Sequence, residues 1–169
     1  MKGTGAVLIL LAFTLAGWFM LKEKKDRLSC LKELIEALGQ LRGELELRSS
    51  ALPQAMRQAA ELSTGAGKEL LTQALANLEN LGEVSFSTIW QRAVGLCAWP
   101  LGPDERRELE ALGAVLGRYE LSFQLQALDS CTDYLKRSRE RLRESLPAKR
   151  RILLGLSVSM GAFLVILLY

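Results

Sequence analysis

Two long uncharged segments, one near each end of the chain, constrain this protein more than any other feature of its sequence. The first covers residues 3–21 and the second covers residues 152–169. Each is close to the length that a helix needs to cross a hydrocarbon core of about 30 Å. We therefore predict transmembrane helices over 3–21 and 152–169, with a separate domain over 22–151 between them.

A cleaved signal peptide is the alternative interpretation of the first segment. A signal peptide usually has a shorter apolar core, and a cleavage site with small residues follows that core. Here the segment leads directly into the charged stretch KEKKDR, at residues 22–27. We therefore favour an anchor that is retained in the mature protein.

Basic residues cluster on the inner flanks of both apolar segments, and they predict the orientation of the chain. The flanking basic residues are Lys22, Lys24, Lys25 and Arg27 after the first segment, and Lys149, Arg150 and Arg151 before the second. Lys and Arg close to a transmembrane helix favour the cytosolic side of the membrane. We expect residues 22–151 to lie in the cytosol and both termini to lie on the far side.

The charge of the central domain argues against nucleic acid as a partner. The whole chain has 22 Lys and Arg against 19 Asp and Glu, but Leu28 to Leu146 contains 14 against 17. A nucleic-acid surface needs a basic stripe, which a mildly acidic domain does not favour. Three separated cysteines, Cys30, Cys97 and Cys131, are flanked by apolar residues, and we interpret them as buried thiols in a reducing compartment.

The chain contains no histidine, which excludes Ser-His and Cys-His nucleophiles and histidine-ligated metal sites. The stretch DERRELE, at residues 104–110, mixes charges of both signs. This pattern is typical of a solvated helix face with internal ion pairs. We therefore predict no enzyme activity, no catalytic residue, no metal, no cofactor and no small-molecule substrate.

The spacing of apolar residues through the domain predicts an all-α fold, a compact cytosolic bundle of about six helices. A change of phase between two apolar stripes predicts a turn or kink between Gly117 and Ser122; the first stripe is Leu109, Leu112, Leu116, Tyr119 and Phe123. The first three helices are expected from the membrane boundary to about Leu47, from Pro53 to Leu62, and from about Lys68 to a cap at Gly82. The fourth is expected from Ser85 or Ser87 to about Cys97, and the fifth from Pro103 to about Gly117. A long sixth helix is expected after the turn, leading by way of Pro147 toward the second apolar segment. Ser49 or Ser50 is expected to cap the second helix.

The stretch STGAGKELL, at residues 63–71, contains a Gly-X-Gly-Lys run that suggests a nucleotide phosphate site. A Walker loop requires G-x-x-x-x-G-K followed by Ser or Thr, between a buried strand and a helix. Here Leu62 stands five residues before Gly67, and Glu69 replaces the hydroxyl that would bind magnesium. We interpret the stretch as a flexible turn between the second and third helices, with Thr64 available as a cap.

A pattern L-G-x-x-L-G-x-x-acid-x-x-x-Q lies within residues 108–128. Its residues are Leu112, Gly113, Leu116, Gly117, Glu120 and Gln124. On one continuous helix, the last residues of this pattern would share a face with the two glycines, which allow a neighbouring backbone to approach closely. The pattern is then either structural or a contact with a partner, and a helix break at Gly117 would remove the shared face.

This pattern, the two end segments, the isolated Trp90 and the stretch ELELRSSALPQAM together resemble the stage III sporulation protein AB family. The soluble part of that family is similar to the cytoplasmic domain of the type II secretion platform protein of the inner membrane. One departure is Glu120, which stands where we expect Asp. The resemblance implies a non-enzymatic platform or scaffold subunit of the channel complex between mother cell and forespore.

The resemblance also implies where the protein is and what it binds. The expected location is the mother-cell-derived outer membrane of the forespore, with the central domain in the cytosol. The expected partners are the cytosolic ATPase of the complex and its other membrane subunits. The alternative is a sensory or adaptor module with two anchors that is not tied to sporulation. A sensory module would place the domain outside the cytosol, which the basic flanks disfavour.

Overall fold

The computed structural model describes the backbone of residues 2–48, 51–78 and 84–168, and the side chains of residues 22–47, 51–78 and 84–145. Over these residues the chain forms six helices joined by short connections. The helices are α1 (Lys2–Arg48), α2 (Leu52–Leu62), α3 (Gly65–Ala76), α4 (Phe86–Leu96), α5 (Pro103–Leu112) and α6 (Leu121–Leu168). The prediction of an all-α fold with about six helices is therefore confirmed.

The chain divides into two compact units. Unit 1 contains Met1–Asp26 and Glu140–Tyr169, and unit 2 is Arg27–Arg139. The side chains of both apolar segments, and those of the basic cluster at 149–151, lie outside the described residues. Within the described residues, no helix is both long enough and apolar enough to cross a membrane. The two transmembrane helices and the domain boundaries at 22 and 151 therefore stay predictions.

One face of α1 forms the centre of the core of unit 2. The buried leucines of this face, each at most 3% exposed, are Leu31, Leu34, Leu38, Leu41 and Leu45. Their alternating spacing of three and four residues keeps one stripe of the helix against its neighbours. Fully buried side chains of the other helices close the core; among them are Met56, Leu71, Trp90, Leu109 and Leu128.

Within unit 2, α1 and α6 run antiparallel. Arg27 of α1 and Ser138 of α6 both hydrogen-bond to Glu105. Further along, the Nε of Arg42 lies 2.6 Å from the Oδ1 of Asp129. α1 therefore enters unit 2, and α6 leaves it, at the same end, which we call the base. The opposite end, which we call the tip, contains the last turn of α1 and the first turn of α6.

The helix ends match the sequence predictions in part. Ser85 caps α4, because its Oγ accepts a hydrogen bond of 3.3 Å from the backbone N–H of Thr88. Pro53 lies in the first turn of α2, as expected, but the capping position is Ala51, which makes no side-chain cap. The other cap candidates, Ser49, Ser50 and Gly82, lie outside the described residues. Leu62, at the end of α2, is 62% exposed.

The glycine stretch before Lys68 is the first turn of α3, so its interpretation as a flexible turn is wrong. The backbone N–H of Ala66 donates a hydrogen bond of 2.9 Å to the carboxylate of Glu33 in α1. A Cβ on Gly67 would lie 2.5 Å from the backbone oxygen of Glu33, so only glycine lets α3 approach α1 this closely. Thr64 occupies the capping position without a side-chain hydrogen bond. The Glu33 carboxylate provides the cap instead.

Candidate interaction site at the tip of unit 2

The motif residues build the connection between α5 and α6, not one face of a helix. α5 ends at Leu112, five residues earlier than the predicted Gly117, and α6 begins at Leu121. Leu112 and Leu116 are 3% and 1% exposed, so they fix the connection to the core. The condition for a shared helix face, one continuous helix through the motif, is therefore not met, and the predicted break of the helix is present.

Gly113 lies directly against the indole of Trp90. A Cβ at Gly113 would lie 2.6 Å from the Cδ1 and 2.8 Å from the Cβ of Trp90. The indole cannot move away, because Trp90 is fully buried and its Nε1–H donates a hydrogen bond of 2.7 Å to the backbone oxygen of Leu109. Gly113 is therefore required where the chain passes over this tryptophan.

Gly117 and Gln124 fix the conformation of the same connection. Gly117 has a φ of +73°, which lies in the left-handed region that glycine adopts without strain. Its N–H donates to the Oε1 of Gln124 at 3.2 Å, and the Nε2 of Gln124 donates to the backbone oxygen of Tyr119 at 2.6 Å. One glutamine side chain therefore braces two points of the turn.

Glu120 acts through its backbone and leaves its side chain exposed. Its carbonyl oxygen accepts hydrogen bonds from the N–H groups of Phe123 and Gln124, at 3.1 and 3.2 Å. These bonds begin α6. Five of the six motif residues therefore shape the turn with their side chains or their lack of one, and Glu120 marks the start of the next helix.

The braced turn presents an apolar surface to solvent. Tyr119 is 51% exposed, Leu121 is 37% exposed and Phe123 is 55% exposed. The ring centroids of Tyr119 and Phe123 are 6.4 Å apart, which is within the range of interacting aromatic pairs. The guanidinium carbon of Arg118 lies 5.8 Å from the centroid of the Tyr119 ring. A cluster of aromatic rings beside an arginine is typical of the centre of a protein interface.

Leu47, at the end of α1, lies at the same level of unit 2 and is 85% exposed. The contact between Arg42 and Asp129 gives a common reference point on the two antiparallel helices. Leu47 is five residues from it along α1, or about 7.5 Å towards the tip, and Phe123 is six residues from it along α6, or about 9 Å in the same direction. We call the group of Leu47, Tyr119, Leu121 and Phe123 the aromatic tip. Four of the six large apolar side chains that are exposed in the described part of unit 2 belong to it.

Sequence reasoning missed the aromatic tip, because it assigned Tyr119 and Phe123 to a buried stripe with Leu109, Leu112 and Leu116. Only the three leucines are buried. The stripe assumed that the helix continues past Leu112, whereas Gly117 reverses the chain direction before Tyr119. The signal that could have found the tip is the change of phase between the two apolar stripes.

A buried carboxylate lies at the base of unit 2. Glu105 is 1% exposed, so the prediction that DERRELE is a solvated face is wrong at this position, although Asp104 and Arg107 form an exposed ion pair at 3.4 Å. The Glu105 carboxylate accepts hydrogen bonds from Arg27 at 2.8 and 3.1 Å, from the backbone N–H of Gly102 at 2.7 Å, and from the Oγ of Ser138. Burial alone would raise the pKa of Glu105, but these donors together hold it below its ordinary value of 4.5.

Three buried cysteines and Arg106 also make contacts within the core of unit 2. Burial raises the pKa of Cys30 and Cys131 to about 12 and that of Cys97 to about 11, so all three buried thiols are protonated at neutral pH. In the part of the chain that the structure describes, no group of three or more Cys, Asp or Glu residues is arranged to hold a metal ion. The Arg106 guanidinium donates to the backbone oxygen of Val94 at 2.9 Å and so covers the end of α4.

The Gly-X-Gly-Lys run has no place for a phosphate in this fold. The N-terminus of a helix binds anions through its free backbone N–H groups, and the N-terminus of α3 already holds the carboxylate of Glu33. Both Gly65 and Gly67 pack against Glu33. A phosphate would have to displace a carboxylate that the chain itself supplies.

Comparison with known proteins agrees with this fold. No curated protein sequence matches the chain. A solved structure described as "Stage III sporulation protein AB (SpoIIIAB)" is similar, with a TM-score of 0.63 over 72% of this chain and 97% of that chain. The two sequences are 20% identical, so this likeness concerns the fold alone. The family model for stage III sporulation protein AB matches residues 2–169. The chain therefore belongs to the stage III sporulation protein AB family, as the resemblance of its motifs predicted.

Proposed function

We propose that this protein is a non-enzymatic platform subunit of the channel complex between mother cell and forespore, and that its aromatic tip binds the cytosolic ATPase of that complex. Membership of the stage III sporulation protein AB family supports a role in sporulation. The single observation that carries the proposed contact is the exposed aromatic pair, Tyr119 and Phe123, on a turn that buried motif residues hold rigid.

The rigidity of the turn favours binding. A flexible loop loses conformational entropy when a partner orders it, whereas a preorganised surface avoids that cost. Gly117 and Gln124 fix the backbone of the turn before any partner arrives. Aromatic rings and arginine contribute the largest share of binding energy in many interfaces, and here Arg118 stands beside Tyr119.

The position of the tip favours a cytosolic partner. Within unit 2, the chain enters through α1 and leaves through α6 at the base, so it does not cross the boundary of the unit at the tip. In the predicted topology unit 2 lies in the cytosol, where a soluble protein can reach the tip. The partner must also supply any nucleotide energy, because the stretch that resembles a phosphate loop is closed by Glu33. An ATPase fits both conditions.

The proposal includes two membrane anchors, at 3–21 and 152–169, and contacts with other membrane subunits of the channel. It places the protein in the outer forespore membrane with unit 2 in the cytosol. Protease treatment of right-side-out vesicles tests this orientation, because the central domain should be digested only after lysis. Digestion without lysis would contradict the platform and favour a sensory module.

A binding experiment tests the tip directly. The full chain, reconstituted in nanodiscs, is titrated with the purified cognate ATPase, and the same is done with Tyr119→Ser/Phe123→Ser. We expect the double variant to lose at least about 1.4 kcal/mol of binding free energy, a tenfold weaker affinity. The matched control is Leu62→Ser/Leu96→Ser, which replaces two side chains that are 62% and 63% exposed but lie outside the aromatic tip.

The outcomes separate the possible occupants of the tip. Equal affinity of the tip variant and the wild type would remove the ATPase from this surface. Loss of self-association without loss of ATPase binding would assign the tip to a second copy of the chain. In sporulating cells, deletion of the gene should block development after engulfment, and a normal spore count would contradict the proposed function as a whole.

A further inference from the structure

The base of unit 2 holds the one charged side chain that is buried among the described residues, Glu105. Its carboxylate joins three helices. Arg27 comes from α1, Ser138 from α6, and Glu105 itself lies in the first turn of α5 beside Gly102. Arg27 and Ser138 are the first and the second-to-last residues of unit 2.

We infer that Glu105 is a clamp that fixes the register and separation of α1 and α6 at the boundary where both helices leave unit 2. The clamp consists of Arg27, Glu105 and Ser138. Neither helix is interrupted at this boundary, since α1 begins at Lys2 and α6 ends at Leu168. The clamp therefore lies on the turns of α1 and α6 at this end of unit 2.

The geometry of the clamp favours positioning over simple stabilisation. The Arg27 guanidinium approaches both carboxylate oxygens, with its Nε at 3.1 Å from one and its Nη2 at 2.8 Å from the other. Paired bonds of this kind fix the direction as well as the distance between two groups. Buried ion pairs are weak evidence for stability, because apolar residues of similar volume often replace them without loss, and their best-attested use is to specify register.

A second polar link between α1 and α6, the pair Arg42 and Asp129, is weaker than the clamp. Arg42 and Asp129 lie 2.6 Å apart, but their side chains are 35% and 53% exposed. Ion pairs at the surface contribute little and are screened by salt. Near the tip, the two helices are held by packing of buried leucines such as Leu41 and Leu128. At the base, by contrast, both helices bond to one buried carboxylate.

Distance measurement between spin labels tests the clamp in the full chain in nanodiscs. One label pair, at Lys32→Cys and Lys136→Cys, reports on the base. A second pair, at Gln40→Cys and Gln126→Cys, reports on the helices nearer the tip. All four positions are exposed, and the three native cysteines are buried, so labelling is selective for the introduced thiols.

The test variant replaces the clamp by apolar groups, as Arg27→Met/Glu105→Leu/Ser138→Ala. We expect it to unfold as cooperatively as the wild type, to lose the single narrow distance peak at the base, and to keep the peak nearer the tip. A narrow base peak that is unchanged would overturn the inference. Equal broadening of both pairs would also overturn it, because the residues would then support the whole fold.

A second variant keeps the test decisive if the triple variant does not fold. Glu105→Gln removes the charge but retains the size of the side chain and one acceptor oxygen. We expect a broader peak at the base and an unchanged peak nearer the tip. Asp104→Asn is the matched control, because Asp104 is the neighbouring residue and its side chain is 69% exposed. A base peak of Glu105→Gln that matches this control and the wild type would contradict the clamp.

Discussion

The base and the tip of unit 2 use polar and apolar groups in opposite ways. At the base, a charged carboxylate of α5 is buried and accepts hydrogen bonds from α1, from α6 and from the backbone N–H of Gly102. At the tip, two aromatic rings are half exposed and rest on a turn that the side chain of Gln124 braces at Gly117 and Tyr119. Burying a charge costs free energy unless hydrogen bonds and an opposite charge compensate it. An exposed aromatic cluster, in contrast, is apolar surface that a partner protein can cover. The base therefore serves the position of the helices, and the tip is suited to a partner.

The largest effect is expected at the base. Glu105→Ala leaves Arg27 and Ser138 without their acceptor and should lower the free energy of unfolding by about 3 kcal/mol. We place the loss at the lower end of the usual range because the Arg27 side chain is 33% exposed and can reach water. Urea unfolding of the full chain in mild detergent, followed by tryptophan fluorescence, measures it. Asp104→Ala should cost less than about 1 kcal/mol, and equal losses would contradict the contrast between buried and exposed acids.

The next effect concerns the support of the tip. Gly113→Ala places a methyl group 2.6 Å from the Cδ1 of Trp90 and should cost about 1–3 kcal/mol, as overpacking of a core does. Gly39→Ala is the matched control, because Gly39 lies within α1 with nothing within 4 Å of an added Cβ. The control should gain up to about 1 kcal/mol from better helix propensity. Similar values in the same unfolding experiment would mean that Gly113 does not hold the turn against the core.

A smaller effect is the dependence of stability on pH. Burial acts to raise the pKa of Glu105, but hydrogen bonds from Arg27, Ser138 and Gly102 hold it below 4.5. A carboxyl group whose pKa is lower in the folded state adds stability above its unfolded pKa, and this contribution is lost as pH falls through the folded value. The wild type should therefore lose stability below pH 4.5 relative to Glu105→Gln. A difference between the two that stays constant from pH 7 to pH 3 would contradict this.

The sequence alone predicted the structural features that depend on residues close together in the chain. The spacing of apolar residues predicted an all-α fold, and Ser85 was one of two predicted starts of α4. The change of apolar phase predicted a break between Gly117 and Ser122, which falls within the connection between α5 and α6 and its junction with α6. Each of these features is encoded within a few residues of chain. Local patterns of this kind are what periodicity and capping rules detect.

The missed features depend on residues that are distant in sequence. The cap of α3 comes from Glu33, 33 residues before Ala66, and the partner of Glu105 is Arg27, 78 residues away. Arg27 was interpreted only as a flank that sets membrane topology. The sequence carries no local sign that the last arginine of a basic flank pairs with a buried carboxylate, or that DERRELE contributes one acid to the interior. Both contacts arise when α1 packs against α3 and α5.

The smallest effect on stability is expected at the tip itself. Phe123 is 55% exposed, and Phe123→Ser should change the free energy of unfolding by less than about 0.5 kcal/mol, as surface substitutions usually do. Leu128→Ser, five residues further along α6, replaces a fully buried side chain and should lower the free energy of unfolding by about 2–5 kcal/mol. The same urea unfolding experiment compares the two. A loss of several kcal/mol for Phe123→Ser would mean that the ring belongs to the core, and the tip would then have no spare apolar surface for a partner.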